Sequence, residues 1–189
     1  KPVNNGVNNG GNNGENNGND GPCEYPEAGQ FVDLGQVMPN LTWNGAYLPD
    51  GTTVDFSMEK WFCDDEYAEL QTIAFVLGTG WCPACPGYIE HVNGLSSTLT
   101  SNNMMIVYIE AEDQNGTPGT HQYAYEYINE LIGDGPGLRI GDGETLPAPR
   151  TLIQSPVVQS FPSGWIVRRS DMTVVASQHA SQYIIPFEQ

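Results

Sequence analysis

The sequence is poor in basic residues, in long apolar runs and in histidine, and each shortage removes a class of function. Six Lys and Arg stand against 23 Asp and Glu, a formal net charge of -17. A surface so anionic repels nucleic acid and anionic lipid at long range, so no nucleic-acid partner is expected. The longest apolar stretch, Ile73 to Leu77, is far shorter than the ~20 residues of a membrane span. The 3 histidines, His91, His121 and His179, are scattered without metal-ligand spacing and read as surface or packing residues. The chain opens on Lys1-Pro2 rather than on Met, which reads as a processed or trimmed form, with a membrane tether upstream of Lys1 as the expectation.

Residues 1 to 22 differ from the rest. Asn-Asn-Gly recurs four times with a period of four, from Asn4-Asn5-Gly6 to Asn16-Asn17-Gly18. The segment has too few apolar side chains to offset the entropy of ordering. It reads as a flexible tether reaching on the order of 25 Å, a spacer after a lipid anchor or cleaved signal, against the plainer alternative of a tolerated low-complexity tail. Only Glu15 and Asp20 supply carboxylates, too few for a calcium-binding repeat. Residues 23 to 189 suffice for one domain around one core.

Within that domain, Leu41-Thr42-Trp43 and Thr53-Val54-Asp55-Phe56 flank a turn at Pro49-Asp50-Gly51 and predict an N-terminal hairpin. Met58 to Leu70 reads as helical or irregular. Thr72 to Leu77 is a continuous apolar run bounded by Gly78 and Gly80, the pattern of a strand buried on both faces. Residues 86 to 100 carry Ile89, Val92, Leu95 and Leu99 at helical spacing. Met104 to Ile109 predicts a second buried strand and His121 to Ile132 a further helix, with Tyr123, Tyr125 and Tyr127 as packing or rim residues. Gly133 to Pro149 reads as a long loop whose Asp134, Asp142 and Glu144 are solvated acids, with calcium binding as the alternative. A final hairpin joins Trp165-Ile166-Val167-Arg168 to Thr173-Val174-Val175-Ala176. The class is α/β with a mixed sheet flanked by helices.

The chemistry is concentrated in Trp81-Cys82-Pro83-Ala84-Cys85, directly after the first buried strand. A cysteine in the first turn of a helix meets unpaired backbone N-H groups and the positive end of the helix dipole, which stabilise thiolate over thiol. The spacing predicts that position for Cys82, with Pro83 suited to a helix start. Cys85, three residues on, lies close enough to close a disulfide. Cys82 would attack a substrate disulfide, Cys85 would resolve the mixed disulfide, and the reverse reaction would make the protein an oxidant. Trp81 would shield the sulfurs and shape the docking surface. Zinc would need a second pair or nearby His, so no cofactor is expected beyond the Cys82/Cys85 disulfide, whose plainer alternative is an inert structural bridge. Cys23 and Cys63 sit in no reactive setting and read as a structural disulfide, which together with the active pair favours an oxidising compartment.

These residues carry a resemblance. From Gly35 to Ala176 the chain resembles the redoxin branch of the thioredoxin-like superfamily, through Gly35-Gln36-Val37-Met38-Pro39-Asn40, the strand entering Trp81 to Cys85, and Phe161-Pro162-Ser163-Gly164-Trp165-Ile166-Val167 before a hairpin. The resemblance implies a thioredoxin-like fold and a thiol-disulfide oxidoreductase acting on extracytoplasmic proteins at the periplasm or cell surface, as a membrane-tethered lipoprotein; a monomer is the expected state. It also implies that Pro162 is cis, packs against the active disulfide and exposes backbone that pairs with the substrate chain. Many thioredoxins carry a buried acid six residues before the nucleophile; that position here is Val76, so proton transfer falls to water or another group. Phe161 is bulky beside the cleft, and Pro86 is expected to perturb the first helical turn. Two other functions compete. Thr79, three residues before Cys82, matches peroxidatic sites, although their proline is replaced by Phe75. A surface-tethered binding protein with an inert disulfide is the other.

Overall fold

Two continuous apolar runs organise the sheet. In the computed structural model, which describes residues 23–179, β3 (Thr72–Gly78) and β4 (Met104–Glu110) lie side by side and parallel, in register from Thr72↔Met104 to Gly78↔Glu110. The tether expected over residues 1 to 22, and residues 180 to 189 of the expected domain, lie outside the described residues. Side chains alternate along β3. Ile73, Phe75 and Leu77 join a core with Trp43, Trp61 and Trp165 on one face, while Val76 meets Tyr88, Ile89, Val92 and Ile128 on the other. A strand with apolar packing on both faces has no solvated side, which is why its sequence lacks polar alternation.

The predicted hairpin forms from β1 (Thr42–Tyr47) and β2 (Thr53–Ser57), and the second from β6 (Ser163–Arg168) and β7 (Val174–His179), β6 running antiparallel to β3. Between β1 and β4 lies β5 (Leu138–Gly141), completing the order β2-β1-β5-β4-β3-β6-β7. The segment read as one loop from Gly133 to Pro149 therefore contains an interior strand. Its four residues are all buried, yet one of them is Arg139, whose charge masks the strand. The Arg139 guanidinium donates to Asn129 Oδ1 and to the carbonyls of Gly133, Gly135 and Gly137. It thereby satisfies carbonyls beyond the end of α4 (His121–Ile132) that would otherwise be orphaned. Gly137 has φ 127°, and a β-carbon there would stand 2.9 Å from the Tyr108 ring, so backbone and ring both require glycine.

Helix α4 begins where the sequence predicts, with Thr120 Oγ1 accepting the Tyr123 N-H. Met58 to Leu70 holds a short helix, α1 (Met58–Cys63), capped by Ser57, followed by a 3-10 turn at Asp65–Tyr67. The helix expected over 86 to 100 is broken: α2 spans Cys85–Gly94 and α3 spans Ser96–Ser101. At the break the Leu95 N-H donates to Val92 O, a tightened turn. Gly94 and the Ser/Thr run beyond it are weak helix formers, which is the local reason the axis does not continue. Among the described residues no helix is long and apolar enough to cross a membrane.

Candidate redox site

The site lies where the parallel strands end. β3 stops at Gly78, the Cys82 N-H donates to Thr79 O at 3.0 Å, and the Cys85 N-H donates to Cys82 O at 3.3 Å. These turns delay the helix, so Cys85 rather than Cys82 opens α2, with Ala84 as its N-cap. Cys82 stands one turn ahead of the position the spacing predicts. The reason is backbone supply: Pro83 and Pro86 lack N-H groups, and Pro86 falls within the first turn of α2, where an N-H has no intrahelical partner. Pro86 therefore fits the helix start rather than perturbing it.

The Cys82 and Cys85 sulfurs are bonded to each other, with Cα atoms 5.5 Å apart. Burial divides their roles. Cys85 is fully enclosed and Cys82 keeps 5% of its surface exposed, so Cys82 is less open than the sequence reading supposed, and of the two it alone has any exposed surface. Trp81 stands out from the surface at 47% exposure. Its indole N-H donates to Glu112 Oε2 at 2.8 Å, while Arg150 Nη2 holds Glu112 Oε1 at 2.6 Å. The Trp81 ring also meets Phe161 edge-on, centroids 5.3 Å apart. This contact brings the Phe161-Pro162 segment to the motif. The Phe161–Pro162 peptide is cis, as is Leu146–Pro147, and Pro162 itself is buried.

Behind the cysteines is a group the sequence reading did not identify. The register Gly78↔Glu110 sets the Glu110 carboxyl beside the base of the motif. A β-carbon at Gly78 would lie 3.1 Å from Glu110 Oε1, 3.3 Å from Cys85 Cβ and 3.6 Å from Cys85 Sγ. The absent side chain of Gly78 is thus what lets carboxyl and sulfur share one space. Glu110 is fully buried, and neither of its carboxyl oxygens has a hydrogen-bond partner. Thr79 Oγ1, buried nearby beside the motif, also lacks one. Burial without a partner disfavours the charged form and raises the Glu110 carboxyl well above its ordinary range. Tyr123 is pushed up to about 12, mainly by burial and then by the Glu110 charge. Val76, the position of the acid in many thioredoxins, is packed in the apolar core.

A pH dependence of stability follows. Folded Glu110 keeps its proton above the ~4.3 at which the unfolded carboxyl ionises. Between those values the folded state binds more protons than the unfolded state. The contribution of Glu110 is therefore full below about pH 4.3 and is lost as pH rises through the folded value. Glu110→Gln removes the ionisation, so its stability relative to wild type should improve as pH rises above about 4.3. The expected gain is about 1.4 kcal/mol for each unit by which the carboxyl is raised. Thermal melts of both proteins across that range check it, and a difference independent of pH would reject it.

The remaining candidates separate. Asp142 is not solvated: it is buried, and it accepts the N-H groups of Leu152 and Ile153 and the Thr145 hydroxyl. It holds together the chain after β5. Glu144 accepts the His121 N-H, and His121 Nδ1 accepts the Gly141 N-H at 2.9 Å, so His121 packs while His91 is exposed. Tyr123, Tyr125 and Tyr127 are all half-buried. Cys23 and Cys63 are bonded to each other. Among the described residues no cluster of three His, Cys, Asp or Glu is arranged to hold a metal ion.

No protein-family model and no curated protein matches this sequence. Solved structures do match its shape. The mitochondrial 2-Cys peroxiredoxin of Plasmodium falciparum aligns with a TM-score of 0.53 at 10% identity, covering 78% of this chain and 82% of that one. The exposed lipoprotein thioredoxin of Streptococcus pneumoniae aligns at 0.51 and 10%, covering 78% and 93%. A thiol:disulfide interchange protein from Bacteroides sp. aligns at 0.50 and 10%, covering 78% and 82%. The chain is an α/β protein of the thioredoxin-like fold. Within that fold it carries its own Cys82–Cys85 disulfide at the carboxyl ends of the parallel strands.

Proposed function

We propose that this protein is a thiol-disulfide oxidoreductase that exchanges disulfides with extracytoplasmic proteins through Cys82 and Cys85. The observation that carries the reading is the asymmetry of the pair, Cys82 keeping a residual 5% of its surface exposed while Cys85 is fully enclosed at the start of a helix. An exposed thiolate attacks a disulfide, and an enclosed one resolves it intramolecularly. Trp81 and Phe161 offer an apolar rim for a substrate chain, and Pro162 would present backbone to it. The likeness in shape to an exposed lipoprotein thioredoxin and a thiol:disulfide interchange protein supports the same reading and the location outside the cytoplasm. Protein thiols and disulfides are the partners, the working form is a monomer, and the Cys82/Cys85 pair serves without a further cofactor. The test is the reduction potential of the pair, obtained by equilibrating purified protein in glutathione or dithiothreitol buffers and counting free thiols by mass spectrometry. A value between roughly -270 and -120 mV is expected. A value well below about -300 mV would mark a structural bridge.

One observation favours a second reading. Thr79 presents a buried hydroxyl without a partner beside the motif, and one structure of similar shape is a peroxiredoxin. Thiol peroxidase activity predicts turnover of hydrogen peroxide by the reduced protein, which the disulfide-exchange reading does not.

A further inference from the structure

We propose that Glu110 is the proton acceptor for Cys85, taking the thiol proton when Cys85 resolves a mixed disulfide. The assignment rests on the disulfide-exchange reading above and deepens it. Three observations on separate elements converge. Glu110 Oε1 and Cys85 Sγ both lie within 4 Å of one point beside Gly78, which is direct or one-water reach for proton transfer. Both Glu110 oxygens are buried and have no hydrogen-bond partner, an arrangement that costs stability and that no structural contact of the carboxyl offsets. The register of β3 and β4 holds Glu110 there independently of the motif.

The step balances. The Cys82 thiolate attacks a substrate disulfide, forming a Cys82–substrate S–S bond and releasing one substrate thiolate. The Cys85 thiol then gives its proton to the Glu110 carboxylate, and the resulting thiolate attacks Cys82 Sγ. The Cys82–substrate bond breaks, the second substrate thiolate leaves, and the Cys82–Cys85 bond forms. Two electrons pass from the protein dithiol to the substrate disulfide, and Glu110 returns its proton to the leaving thiolate or to water. A carboxyl raised by burial is a stronger base when ionised and lies nearer the thiol in proton affinity, which suits the transfer. In the reverse direction the same carboxylic acid protonates Cys85 as it departs.

Other titratable groups face Glu110. Tyr123 and Tyr127 approach from α4, each raised by burial first and by the Glu110 charge second. Asp113 follows β4 and acts on Tyr123, and Cys82 and Cys85 lie on the motif side. Both phenols are raised by burial and stay protonated near neutrality, which leaves Glu110 and the cysteines as the groups that can exchange a proton beside the resolving sulfur.

The test is a single turnover that needs no physiological substrate. Reduced protein is mixed with 5,5′-dithiobis(2-nitrobenzoate) in a stopped-flow instrument, and the second thionitrobenzoate release, which reports attack by Cys85, is followed from pH 6 to 9. In Glu110→Gln this release should slow by at least ~10-fold near neutrality. The deficit should shrink as pH rises, because ionisation of the Cys85 thiol by hydroxide then depends less on a neighbouring acceptor. Gly78→Ala keeps both groups but sets a methyl between them, and it should show the same pH-dependent deficit to a smaller degree. It also carries the test if Glu110→Gln does not fold. A deficit equal at every pH, or none, overturns the assignment. The disulfide-exchange reading fails separately, if wild type completes the second release normally yet reduces no disulfide-bonded protein such as insulin.

Discussion

Cys82→Ser should abolish disulfide exchange, with a loss on the order of 10³-fold or more, while Cys85→Ser should retain the first attack and stall after it. The difference follows from burial. Cys82 is the residue of the pair with residual exposed surface and Cys85 has none, so Ser at 82 leaves a poor nucleophile in the attacking position and a thiol that is fully enclosed. Ser at 85 leaves the attacking thiolate intact and removes the group that releases the product. A covalent Cys82–substrate disulfide should then accumulate, visible by mass spectrometry as an adduct that dithiothreitol removes. That adduct is also the means of identifying the substrate, since it is trapped at the reacting bond. If Cys82→Ser keeps its full biological effect, the surface-tethered binding protein becomes the better reading and the disulfide is inert.

Removing the second bridge should cost stability rather than chemistry. Cys23 and Cys63 are joined across a sequence separation of 40, for which loop-closure entropy gives about 4 kcal/mol. The bridge acts on a segment with few other attachments. Tyr25 donates its hydroxyl to Met38 O at 2.7 Å and packs its ring edge-on against Phe62 at 5.9 Å. The far end of α1 is itself tied down, because the Arg169 guanidinium donates to the carbonyls of Trp61, Phe62 and Asp64. The bridge therefore joins the start of the described chain to an element already anchored on the turn between β6 and β7. The double replacement Cys23→Ser with Cys63→Ser should lower the melting temperature by ~8 to 16 °C and leave the potential of the Cys82/Cys85 pair unchanged. An unaltered melting temperature would contradict a structural role, and a shifted potential would mean the two bridges are coupled.

What the sequence determined by itself is local. The apolar runs at Thr72 to Leu77 and Met104 to Ile109, the helical period closed by Thr120 before His121, the two hairpins and the Trp81 to Cys85 spacing are all set by residues within a few turns of one another. Local propensity and burial pattern agree there. The motif was legible for that reason, and with it the pairing of Cys82 with Cys85. Tertiary structure decided what depends on distant partners. Arg139 belongs to an interior strand only because Asn129 and three carbonyls beyond α4 receive its guanidinium, and three residues between Gly137 and Gly141 cannot announce that. The helix start moved to Cys85 because successive turns from Thr79 use the backbone before α2 begins. Glu110 is silent in the sequence as one acid at the end of an apolar strand. It becomes a neighbour of Cys85 through the register of two parallel strands and the missing side chain of Gly78, and parallel register is set by packing across the sheet, which a sequence read along its length does not contain.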